Sequence, residues 1–433
     1  MLPVFQPLQD RAIATVWSGL AASTIGEDLF RVAIIWLAVD IAGNLAGLLT
    51  AAQYATMLIV GLTSGAIADR WRPERTMVMV NILAALVVLM PMVVAYVSGV
   101  SLAALVIAAV GVSGLRTFFA PALQSTVPTL VKDRTMLQSI NGLFDATWRL
   151  ARLAGPAVAA LLVHFIPVIQ FLSVTACGFL AAAAGIYSTR ARLAGPDRRT
   201  EPSRGGWRGA VEGLTAGFHL LRSNRVMAIL VLSNSIVNGP WMATLLLGVA
   251  LLVKSYQPTF LGIQDLAAYG LVMGAYGLGD VCSNLVVGNV RLRRPLSTMY
   301  LGYIAMGGGF VLMALAMWVV PPGALLPAMM LAAVIAGSGG PLFFIPLITR
   351  TQTVFDGPDI ARVWRLRLAL MAGSQLVASL LATWLFELLG PTVTVLGCGL
   401  FIFLAGAWGH TYFRRYSEAP AASLAVPAPA AAD

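Results

Sequence analysis

Twelve apolar stretches divide this chain, each long enough to cross a lipid bilayer. They run at about 12–40, 44–68, 76–97, 101–120, 136–163, 167–187, 226–253, 266–288, 297–319, 324–346, 360–387 and 391–412. A helix needs roughly 20 apolar residues to span the hydrocarbon core. Of the 433 residues, 59% are hydrophobic and 11% charged, whereas a soluble domain carries about 25% charged residues. The pattern predicts an all-α integral membrane protein with twelve transmembrane helices.

The charges between the stretches set the topology. The net charge is +10, but the arginines lie in short clusters between apolar runs, not on one soluble face, which sets nucleic acid aside. Counted along the chain, 26 of the 28 basic residues fall in the N-terminal segment, alternate loops with their flanks, and the tail. The opposite loops hold Lys254 alone, and Arg31 lies inside the first span. By the positive-inside rule both termini are cytoplasmic. No basic region, short apolar stretch and cleavage site open the chain, so the first span is expected to act as its own insertion signal.

Six spans, a long polar linker and six more spans imply a two-fold repeat: a half over 1–187, a linker over 188–225, a half over 226–412 and a disordered Ala/Pro-rich tail over 413–433. Transporters are often built from such halves, with the binding site between them near the midplane. Within the linker, Trp207, Val211, Leu214, Phe218 and Leu221 recur at helical spacing and predict an amphipathic helix on the membrane surface. Cys177, Cys282 and Cys398 all sit in apolar runs and offer neither a disulfide framework nor a metal site. The three histidines are far apart, so an intramembrane enzyme has no visible nucleophile or metal set; a membrane sensor that moves nothing remains the reading from a different class.

The first span carries GEDLFR near its middle. An ionisable residue at mid-membrane costs roughly 2.5–3.5 kcal/mol on insertion scales, so Glu27, Asp28 and Arg31 must pair or bind protons. Glu27 and Arg31 are spaced i,i+4, Asp28 and Arg31 i,i+3, and both spacings bring side chains together on a helix. One arginine neutralises one acid and leaves a surplus acid, whose desolvation favours holding a proton near neutral pH. Asp280 is the only acid deep in the second half, with Asn284 one turn on; it reads either as a cavity contact or as a polar helix contact. Arg149 and Arg152 either snorkel, Arg149 pairing with Asp145, or attract an anionic cargo. Arg116 lines the cavity or marks a boundary. Trp17, Trp36, Trp148, Trp241, Trp364 and Trp384 read as packing or interface anchors.

Three segments carry a family resemblance. GAIADRWRPER, from Gly65 to Arg75, resembles motif A of the major facilitator superfamily, with Asp69, Arg70 and Arg75 retained and Arg72, Pro73 and Glu74 departing from the usual pattern. The equivalent loop of the second half, GNVRLRRP from Gly288, has Asn289 in place of an acid and reads as a degraded repeat. GLFDATWRLARLAGPAVAA resembles the antiporter motif, with Gly142, Gly155 and Pro156 retained and Ala at three glycine positions. GEDLFRVAI, RTFFAPALQSTVPTLV, RLARLAGPAVAALLV and VEGLTAGFHLL together look like the enterobactin-exporter and macrolide-efflux branch.

That resemblance implies a major facilitator fold in a bacterial inner membrane, working as a monomer with no cofactor or metal beyond the proton gradient. It implies proton-coupled export of a small amphipathic molecule by alternating access. A siderophore leads, multidrug or macrolide efflux follows, and an importer or lipid flippase is third. It places Glu27 at the usual acid, with Asp28 second and Arg31 as tuning partner. It makes Gly65, Asp69, Arg70 and Arg75 a cytoplasmic latch, with Arg362, Arg365 and Arg367 as candidate partners of Asp69. Asp280, Asn284, Arg116, Arg149 and Arg152 are the cavity candidates.

Overall fold

The computed structural model describes residues 7–63, 72–126, 134–193, 207–289, 294–355 and 357–415. All of it is helical apart from short turns and one isolated bridge. The first six long helices are α1 (Arg11–Ala42), α2 (Ala46–Thr63), α3 (Pro73–Ser98), α4 (Leu102–Thr126), α5 (Arg134–Leu162) and α6 (Phe171–Leu193). A shorter α7 (Trp207–Ser223) follows, then α8 (Arg225–Tyr256), α9 (Asp265–Asn289), α10 (Pro295–Val319) and α11 (Pro322–Val354). The last stretch, Gly357–Arg414, is broken at Gly390 (φ 77°) into α12 (357–389) and α13 (391–414).

Local chemistry sets these ends. Asp10 caps α1 by accepting from the Ala12 N–H at 2.8 Å, and Asn224 caps α8 by accepting from the Met227 N–H at 3.1 Å. Such caps satisfy donors that the first helical turn leaves orphaned. Gly43 stops α1 at φ 54°, a conformation that favours glycine. Proline opens α3, α10 and α11, where its missing N–H is not needed. One feature has no forerunner in the apolar pattern: α8 widens into a π-helical segment at Ala243–Gly248, just after Pro240. A π segment commonly marks a functional place in a helix.

Among the described residues, nine helical stretches are long and apolar enough to cross a membrane. Two of them, Arg11–Leu62 and Arg362–Arg414, are 52 and 53 residues long, far beyond the ~20 residues that one crossing takes. Each contains a backbone break, at Gly43 and Gly390 respectively. Most helices overrun the expected edges by a few residues; α11 continues to Val354, eight beyond its apolar stretch.

Packing divides the bundle. In the first half α1 packs on α5 and α6, α3 on α4 and α6, and α2 on α4. In the second, α10 packs on α11 and on the α12–α13 stretch, α9 on α11, and α8 on α12. The most extensive contacts between the halves join α2 to the α12–α13 stretch and α5 to α9. The amphipathic helix is present as α7, but its apolar stripe is shared. Gly217 and Leu221 are buried, with Gly217 against Arg362 and Leu366, while Val211 and Phe218 are exposed.

Candidate functional site

Successive residues on a helix point about 100° apart, so Glu27 and Asp28 leave α1 in different directions. Glu27 reaches α4, where its carboxylate meets Arg116 Nη2 at 2.7 Å. Asp28 turns toward α5 and pairs with Arg31, one turn on, at 2.6 Å. The surplus acid expected from sequence is therefore not unpaired: Arg116 closes it from another helix. The Arg116 guanidinium lies over Phe119 at 4.2 Å and Phe179 at 5.5 Å from the ring centroids, a cation–π arrangement that steadies a cation away from water. Its Nη1 is buried without a hydrogen-bond partner.

The two acids differ in setting. The Glu27 side chain is 27% exposed and that of Asp28 is 8%. Asp28 is clamped by the antiporter-like stretch: a Cβ on Gly155 would fall 2.5 Å from the Asp28 Cβ, so glycine lets α5 close on α1. The next residue carries the contact across the halves, for the Pro156 carbonyl lies against Gly270 of α9. The Gly142 environment and the side chains of Asp145 and Arg149 lie outside the described residues.

Arg31 and Arg152 extend this cluster toward the second half. Arg31 interacts electrostatically with Asp28, Glu27, Tyr54 of α2 and Tyr269 of α9, so it faces the space between the halves. Arg152 is exposed and lies within electrostatic reach of both Asp28 and Tyr276 of α9. Tyr276 also senses Asp280 and accepts a hydrogen bond from Trp241 Nε1 at 2.8 Å. The cluster on α1, α4 and α5 thus holds two carboxylates against three guanidiniums, while Asp280 lies one turn from Tyr276 on α9 with its Oδ1 against Gly340 of α11. Asn284 leaves its buried Nδ2 without a partner, so the hydrogen bond through Asn284 that sequence allowed for Asp280 is not made by that nitrogen. Among the described residues, no group of three or more His, Cys, Asp and Glu is placed to hold a metal.

The latch is only partly visible. Gly65, Asp69 and Arg70 lie outside the described residues, and Arg75 is exposed on the first turn of α3. Arg362 pairs with Asp359 of its own helix at 2.6 Å. Arg367, a candidate partner of Asp69 on sequence grounds, is instead turned inward: its Nε donates to Asn234 Oδ1 of α8 at 2.8 Å. At the end opposite the arginine-rich loops the halves are tied by a pairing that the sequence does not spell out. Lys254 of α8 pairs with Asp40 of α1 and lies 4.6 Å from the Trp36 ring, and Trp36 meets Tyr269 with centroids 5.8 Å apart. The isolation of Lys254 among loops otherwise free of basic residues was the available signal.

Comparison with known proteins agrees with this architecture. A family model described as transmembrane secretion effector matches residues 3–432. The multidrug efflux pump Tap of Mycolicibacterium fortuitum is 27% identical over 196 residues, 44% of this chain and 48% of Tap, so the match spans about half of that relative. Among solved structures, a POT peptide transporter superposes with a TM-score of 0.73 at 13% identity, covering 94% of each chain. The nucleoside transporter NupG gives 0.67 at 11%, covering 93% of this chain and 99% of its own. Identities so low show the fold alone. With the family model covering nearly every residue, the chain belongs to the transmembrane secretion effector family of the major facilitator superfamily and is a membrane transporter, not an enzyme.

Proposed function

We propose that this transporter is a proton-driven exporter of small amphipathic molecules, with twelve spans in two halves and both termini on the cytoplasmic side of a bacterial inner membrane. The span count follows if the two long stretches each cross twice at their breaks and α5 crosses despite the charges in its first turns. Efflux of drug-like molecules is the leading cargo reading, because the relative Tap is by name a multidrug efflux pump. The siderophore reading stands behind it on the sequence resemblance alone.

The observation that carries the proton reading is the Glu27–Arg116 pair. It joins two helices, and it exists only while Glu27 is ionised. Protonation neutralises the carboxylate and frees α1 from α4, while the guanidinium keeps its two aromatic rings. A pair that is closed in one protonation state and open in the other gives the helices two arrangements for a proton to select. Glu27 is the more exposed of the two acids and the one whose partner comes from another helix. Asp28, held by Arg31 and pressed against Gly155, keeps α1 seated on α5.

Expression in a strain stripped of its own efflux pumps tests this reading. The native chain lowers the cellular content of an exported amphipathic dye, an uncoupler removes the effect, and Glu27→Gln behaves like the uncoupler at equal membrane abundance. Uncoupler-insensitive efflux, or full efflux by Glu27→Gln, rules out proton drive through this residue.

A further inference from the structure

Arg367 is 6% exposed, yet no carboxylate meets it among the described residues. Its Nε donates to the neutral amide oxygen of Asn234. The guanidinium sits in the corner formed by the rings of Trp364, at 4.6 Å, and Phe344 of α11, at 4.9 Å, which meet edge to face with centroids 6.2 Å apart. Asn234 is itself fixed, since its Nδ2 donates to the Tyr303 hydroxyl of α10 at 3.2 Å, and Tyr303 stacks on Phe343 with centroids 4.1 Å apart. Four helices of the second half therefore hold one cation with no carboxylate against it among the described residues.

A buried ion without a counter-ion is among the most unfavourable things a fold can contain. Helix packing does not require it here. The same two helices are joined farther along by Gln375 and Asn238, a neutral amide pair. A guanidinium with its Nε fixed still offers a fork that matches two acceptor oxygens in one plane, and its aromatic neighbours suit a flat ring.

We propose that Arg367, Asn234, Trp364 and Phe344 form a cargo subsite for an organic anion, one whose carboxylate or sulfonate group is attached to a flat aromatic body. This rests on the transport reading above and adds the charge class of the cargo. Arg367 binds the anionic group, the attached ring packs beside the edge-to-face aromatic pair, and Asn234 positions the guanidinium.

The test is equilibrium binding to the full-length chain in detergent, with 1-pyrenesulfonate as the anionic probe and 1-pyrenesulfonamide as its neutral counterpart. The native chain binds the anion more tightly than the neutral probe. Arg367→Gln weakens the anion by about tenfold or more, the scale of a charge-assisted fork contact, and leaves the neutral probe unchanged. Asn234→Asp keeps the shape of the site and places a carboxylate on Arg367, so the folded protein satisfies its own cation and the anion again loses about tenfold. That second variant decides the matter if Arg367→Gln does not fold. No preference for the anion in the native chain, an equal loss of both probes, or an unaltered anion affinity in Asn234→Asp overturns the subsite. Binding needs no proton gradient, so failure here leaves the Glu27 reading standing. Anion-selective binding by a chain whose efflux ignores uncouplers sinks only the proton reading.

Discussion

Arg116 and Arg367 are built on one pattern and differ in one partner. Each lies mostly buried in its own half, across two aromatic rings. Arg116 meets the carboxylate of Glu27, and Arg367 meets the amide of Asn234. An acid partner can gain or lose a proton, whereas an amide partner cannot. The first arrangement offers a proton-dependent partner, and the second holds its cation against a partner that carries no titratable group. On the proposals above, proton work falls to the first half and charge recognition to the second.

The largest expected effect comes from breaking the acid side of the contrast. Glu27→Ala leaves Arg116 without its carboxylate, and removing one partner of a buried pair costs about 3–5 kcal/mol. Because Glu27 is 27% exposed, the loss should lie at or below the lower end of that range. Thermal melts of the purified protein check it. Adding Arg116→Gln should recover most of the stability, since the unpaired cation is gone, without restoring proton-driven efflux. A double variant no more stable than Glu27→Ala would show that the pair does not hold α1 to α4.

A smaller effect is expected where the second acid is held. Gly155→Ala sets a methyl group against Asp28, and overpacking of this kind costs about 1–3 kcal/mol. It should slow efflux without breaking the Glu27–Arg116 pair, because it moves α1 on α5 and leaves the α1–α4 contact in place. Wild-type efflux and melting in Gly155→Ala would remove the antiporter-like stretch from the account.

The smallest effect calibrates the same chemistry in water. Asp10 pairs with Arg192 at 2.6 Å outside the spans. Burial pushes the Asp10 carboxyl up, but the Ala12 N–H and Arg192 together outweigh it and hold it below its ordinary 3.8. A depressed acid stabilises the fold above its unfolded value and loses that contribution as pH falls through its folded value. Asp10→Asn keeps the helix cap, so it should cost no more than about 1 kcal/mol, as exposed pairs do. The difference from native protein should vanish in melts below the ordinary carboxylate range. A difference that persists there would mean that the cap, not the charge, matters.

Much of this was legible in the sequence because it is local. Apolar run length gives the long helices, and the helical spacing of Leu214, Phe218 and Leu221 gives α7. Gly155 and Pro156 announced close packing, although not that Asp28 lies beneath. What was hidden is tertiary. Spacing on α1 could pair Arg31 with either acid, and nothing local said that Arg116 would arrive from α4. Arg367 looked like one more member of the loop cluster with Arg362 and Arg365, because only the fold turns it inward onto Asn234. The π segment of α8 left no trace in an apolar pattern that reads alike for either helix type.

The division of labour is tested most directly in proteoliposomes carrying Glu27→Gln, by following 1-pyrenesulfonate with and without a pH gradient. Predicted is a loss of gradient-driven accumulation while gradient-free exchange of the probe across the membrane continues, because Arg367 and its aromatic neighbours are untouched. Accumulation driven by the gradient at the native rate would contradict the account.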